Sequence, residues 1–195
     1  PTLISIVQSC KSEPGVVWTP SFLTATEGDI LIQLVDLILP KTDTPSASEV
    51  NVHQFIDTFA NDIFTADKKA FVKMSMESFI AIALSKSGKT AAEDLTTADL
   101  EPVLAMSLND APEHAQTMWD KVNAYNEALG KEEVATLDKD AAAFAFAHEL
   151  RGLTIWGYKS SEYVGEEVLA YLPVPGEYIG CEDTETLTQG KAWSL

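Results

Sequence analysis

"DAAAFAFAHELRGLTIWG", residues 140–157, decides the fold class. Its only strand-like feature is the period-two fragment Phe144-Ala145-Phe146, and that fragment lies inside a window whose spacing is helical. Read as a helix, the stretch begins around Asp138 to Asp140 and runs to Gly157. Its alanines are small enough to let neighbouring backbones approach closely. No convincing strand occurs elsewhere, so the chain reads as all-α.

Upstream, the helices are punctuated clearly. "TATE" (Thr24 to Glu27) is a capping box, and Ile30, Leu31, Leu34, Val35 and Ile38 follow it as one apolar face that Pro40 stops. "SASE" (Ser46 to Glu49) repeats the device ahead of Val52, Phe55, Ile56, Phe59 and Ile63, read as one face of a second helix. A third helix is predicted from near Asp67 to Lys86, with Gly88 as its stop. A short helix starts at Thr97 and carries Pro102 in an early turn, where a missing N–H costs little. Asp110 is expected to cap a helix through Met118, Trp119, Val122, Tyr125 and Leu129, with Gly130 as a left-handed terminator. The expected architecture is a single helical bundle of five or six helices over residues 24–157. An N-terminal tail (1–23) and an extended Tyr/Gly/Pro-rich C-terminal segment (158–195) wrap over it.

The 195 residues carry a formal net charge of −17, which repels phosphate backbones and anionic headgroups. Nucleic acid and membrane-surface roles are therefore not expected. The nearest approach to a membrane span, Ile30 to Leu39, is short and interrupted by Gln33 and Asp36. "PTLISIVQSC" (residues 1–10) resembles the end of an export signal and makes an exported protein the expectation, although "VQSC" is a poor lipid-attachment box for Cys10. Cys10 and Cys181 are the two cysteines; they either form a disulfide closing a long loop or remain separate thiols, buried or lipidated.

No catalytic kit stands out. His148, beside Glu149 and Arg151, has no Ser, Cys or metal partner in the pattern and reads as structural, with an acid/base role as the weaker alternative. "SKSGKT" (85–90) lacks the first glycine and the strand of a phosphate loop. Carboxylate pairs such as Glu132/Glu133 and Glu166/Glu167 read as solvated faces. His53, His114 and His148 are scattered, so no metal site is expected. The tail is different: Trp156, Tyr158, Tyr163, Tyr171 and Tyr178 are large amphipathic rings suited to anchoring a protein partner, or to sealing the edge of the bundle.

"TIWGYKSSEYVG" (154–165) and "PGEYIGC" (175–181), together with "PSASEVNVHQF" (45–55) and "FIDTFANDIF" (55–64), make the chain resemble the gluconate 2-dehydrogenase subunit 3, or gamma-chain, family. The signature positions are Thr154, Gly157, Tyr158, Pro175, Gly176, Tyr178, Gly180 and Cys181. The resemblance implies a non-catalytic small subunit of an exported, FAD-dependent sugar or sugar-acid dehydrogenase of the glucose-methanol-choline type, such as a gluconate 2-dehydrogenase or glucoside 3-dehydrogenase. It implies no cofactor in this chain, FAD in a large partner flavoprotein, and haem c in a cytochrome as a third subunit of many such complexes. It further implies a periplasmic location, Tat export, and a role in exporting, maturing and stabilising the flavoprotein, with membrane association through the complex or a lipid on Cys10. The alternative reading of the residues is a stand-alone exported or lipid-anchored helical binding module, which requires a ligand-sized pocket.

Overall fold

The computed structural model describes residues 18–172, 176 and 181–194, and among them it has seven α-helices and no strand. They are α1 (Ala25–Ile38), α2 (Val52–Ile63), α3 (Ala66–Ser87), α4 (Thr97–Ser107), α5 (Pro112–Gly130), α6 (Lys139–Lys159) and α7 (Thr184–Thr188). A 3-10 turn (Ala92–Asp94) and a π-helical turn (Val164–Val168) complete the set. The all-α expectation holds.

The decisive stretch is the axis of the bundle: α6 packs against each of α1 to α5. Residues two apart on a helix project about 200° apart, which explains the strand-like fragment. Phe146 meets Phe79 of α3 at 5.4 Å between ring centroids, and with Ala143, Ala147 and Leu150 it joins the main core of Leu34, Val35, Met76, Leu100 and Val103. Phe144, with Ala141 and Ala145, turns the other way and holds Met118 and Val122 of α5. A helix buried on two opposite sides shows no single apolar stripe, and its alanines keep both neighbours close.

Caps set most boundaries. Thr24 and Glu27 form the expected box at α1, Thr96 and Asp99 form another at α4, and Gly88 ends α3 in the left-handed region at φ 72°. Three expectations are corrected. Ser46 and Glu49 do bond reciprocally (Ser46 N–H to Glu49 Oε2, 2.9 Å; Glu49 N–H to Ser46 Oγ, 3.4 Å), but they close a separate turn. The left-handed Asn51 (φ 60°) divides that turn from α2. Asp110 does not cap α5, which starts at Pro112 behind Ala111; its carboxylate accepts from Arg151 Nη1 of α6 at 2.9 Å. Gly130 is the last helical residue of α5, and the left-handed position falls on Glu132.

Both flanking segments are tied down. Residues 18–23 are fastened by Asp57 of α2, whose buried carboxylate accepts the backbone N–H groups of Ser21 (2.6 Å), Phe22 (3.1 Å) and Leu23 (2.9 Å). Trp18 meets His53 edge-on at 4.9 Å, and Gly28 leaves room for Trp18 and Pro20. At the other end α6 runs past Gly157 to Lys159. After the π-helical turn, Ala170 pairs with Trp193 in an isolated bridge. Ala170 N–H donates to Ala192 O (2.8 Å), and Ser194 N–H donates to Ala170 O (2.9 Å).

Candidate functional site

α2 carries two apolar rows where its spacing suggested one. Val52, Ile56 and Ala60 point inward and are buried, while Phe55, Phe59 and Ile63, each four residues apart, line the outer side. Four-residue steps stack side chains in a row along a helix, so the outer row spans two turns, about 12 Å. Trp156 of α6 stands edge-on to both rings, 5.1 Å from Phe55 and 5.1 Å from Phe59, and Phe64 meets Phe59 at 5.6 Å. Such edge-to-face contacts hold the rings in one arrangement.

Gly157 sets the distance between the two helices. A Cβ there would lie 2.5 Å from Phe55 Cδ1, so only glycine lets α6 come this near to α2. The outcome is an open groove of about 620 Å³ floored by Phe55, Phe59, Ile63 and Gly157 and closed at one end by Ser160 and Ser161. Ile63 is 63% exposed and Trp156 43% exposed. Asp62 is the charged residue of its lining. The groove meets a second hollow at Val50, where Lys41 is already paired with Glu49 at 2.5 Å and Asp43 adds a further carboxylate.

The expected anchors are placed differently from one another. Trp156 does not line the groove; it packs edge-on against Phe55 and Phe59, two of the rings on its floor, and is 43% exposed. Tyr158 is half-buried against the core, and its hydroxyl donates to Pro45 O (2.8 Å) and reaches Thr44 Oγ1 (3.1 Å), which ties the end of α6 to the turn before α2. Tyr163, 52% exposed, lines the second hollow, and Tyr171 stands out beside Leu172 near the bridge. Tyr178 and Cys10 lie outside the described residues, and Cys181 is exposed. Phe55, Phe59 and Ile63 share one apolar stripe with Val52 and Ile56 in the sequence, and no signal along the chain marks them as its outer margin.

His148 sits at the α5–α6 junction. Phe144 (4.2 Å) and Trp119 (5.7 Å) enclose its ring, Nε2 is 3.4 Å from Asp110, and Nδ1 is 3.3 Å from Arg151. Burial, and then the Arg151 guanidinium, push its pKa below the ordinary histidine value, with Asp110 opposing. These contacts fasten two helices, and no nucleophile stands beside the ring. Among the described residues no three His, Cys, Asp or Glu side chains converge as a metal site, and no helix is long and apolar enough to cross a membrane. Beneath residues 22–23 is a small apolar cavity of about 40 Å³, far below the volume of an ordinary ligand pocket.

The family model for "Gluconate 2-dehydrogenase subunit 3" matches residues 25–176, from the first turn of α1 through the groove and past Ala170. No curated protein and no solved structure matches the chain. The two segments that frame the groove, "FIDTFANDIF" and "TIWGYKSSEYVG", both lie inside the matched span. The chain belongs to the gluconate 2-dehydrogenase subunit 3 family, the family of an accessory subunit of a dehydrogenase complex.

Proposed function

We propose that this chain is a non-catalytic small subunit of an exported, flavin-dependent sugar or sugar-acid dehydrogenase, and that it stabilises and helps to mature the larger flavoprotein. The observation that carries the reading is the family match across residues 25–176. The residues of this chain support the division of labour. In this reading FAD belongs to the larger partner, and the all-helical described part of this chain serves as its support. Its buried histidines and carboxylates are engaged in fastening helices and the 18–23 segment. What it offers outward is shape and apolar surface. In this reading a c-type cytochrome, where one is present, takes electrons from the flavoprotein, and the complex works in the periplasm.

Co-expression with the larger dehydrogenase subunit tests the proposal. The expected result is a stable complex that oxidises gluconate or an aldose with a dye as acceptor, while the purified small chain alone reduces no dye. Turnover by the isolated chain would overturn the assignment, as would a larger subunit that stays fully folded and active without it.

A further inference from the structure

We propose that the groove between α2 and the end of α6 receives an amphipathic helix of the larger dehydrogenase subunit, one whose apolar anchors are flanked by lysine or arginine. This rests on the accessory-subunit reading above and adds the docking face and the chemistry of what occupies it.

Along the outer row of α2, Phe55 is partly covered by the core, Gly157 and Trp156, and Phe59 by Trp156 and Phe64, so the cover thins toward Ile63. Phe55, Phe59 and Ile63 are the margin of the apolar stripe of α2, about 60° round the helix from Val52, Ile56 and Ala60. The inner row is fully covered and Asp57 ties that side of α2 to residues 21–23, whereas Ile63 on the outer side keeps 63% of its surface exposed. The missing cover is therefore external.

Shape points to a helix. The floor is a straight row two turns long, flanked on the α6 side by Gly157, Ser160 and Ser161. An incoming helix placing residues at i, i+4 and i+7 on that row matches its length, and Asn51, Gln54 and Thr58 supply polar contacts at the margin. The ring network and the close approach at Gly157 hold the groove open in advance, which lowers the ordering cost of association.

Charge selects the flanks. Asp62 lies in the groove and Asp43 adjoins it, while Lys41 and Glu49 neutralise one another. With −17 overall, the chain repels a second copy of itself and an anionic lipid surface, and attracts a basic helix.

The test uses the full chain co-expressed with the larger subunit. Ile63→Arg and Thr58→Arg replace exposed groove residues and are expected to weaken binding of the larger subunit at least tenfold with unchanged melting temperature; either one suffices if the other folds poorly. Leu129→Arg, in a separate cleft that Phe71 and Met74 of α3 form with Tyr125 and Leu129 of α5, is expected to bind as wild type. A photo-crosslinker in place of Thr58 should label partner residues spaced three or four apart, with Lys or Arg beside them. If both groove variants bind normally while the wild type forms the complex, or if the label falls on an extended segment or on a second copy of this chain, the groove assignment is overturned and the subunit reading stands. If the wild-type chain does not bind the larger subunit at all, the subunit reading itself fails.

Discussion

Asp57 shows how much one side chain holds in this molecule. A buried carboxylate is tolerated only when its lone pairs are used, and here three consecutive backbone N–H groups use them. Asp57→Asn removes the charge and turns one acceptor into a donor facing a donor. It should cost about 2–3 kcal/mol, read as a lower urea midpoint, with faster hydrogen exchange at residues 21–23. Two glycines of α6 give opposite outcomes for the same change. Gly152 is exposed with nothing within 4 Å of a new Cβ, so Gly152→Ala should stabilise by about 0.5–1 kcal/mol. Gly157→Ala gains the same helix propensity but drives a methyl into Phe55, a clash of the kind that costs about 1–3 kcal/mol. Thermal melts of the pair should move in opposite directions, and the Gly157 variant should also lose partner affinity.

The junction between α5 and α6 is where pH acts on an element. Both His148 and His53 have pKa values pushed below the ordinary 6.5 by burial, opposed by Asp110 for His148 and by Asp36 for His53. The unfolded chain therefore takes up protons before the folded one does. This contribution to stability is complete above about pH 6.5 and declines as pH falls through the folded values. Urea midpoints should drop between pH 7.5 and 5.5, and His148→Gln should flatten that drop. A second decline follows at lower pH, because Lys73 and Thr24 hold Glu27 below its usual value despite burial, and Lys89 and Thr96 hold Asp99 at about 2.

Elements differ in how well the sequence announces them. α1 and α3 are readable because their caps and stops are local: Thr24 with Glu27, and Gly88, need no distant partner. Asp110 looks like a cap and is taken by Arg151, forty-one residues away, an interaction no window along the chain contains. The exposed margin of the α2 stripe was hidden for a related reason. Apolar residues at three- and four-residue spacing satisfy one broad stripe or two narrow ones, and only the tertiary position of Trp156 distinguishes them. Trp156 itself was legible as an anchor candidate from residue type and motif, whereas the inward bonds of Tyr158 depend on where residues 44–45 happen to lie.

For the molecule as a whole, −17 spread over 195 residues is a self-repulsion that folding concentrates. Raising ionic strength from roughly 0.01 M to about 0.15 M shortens the screening length from about 30 to about 8 Å. The melting temperature of the isolated chain should therefore rise with salt, while the affinity for a basic partner should fall; calorimetry and a binding titration across that range check both. The central position of α6 has a temporal side as well. During synthesis at about 5–20 residues per second, α1 to α5 emerge first, yet each of them leans on a helix that is complete only at Lys159. For on the order of ten seconds the nascent chain carries five helices' worth of apolar surface with no axle to close around, a natural window for a chaperone to shield it.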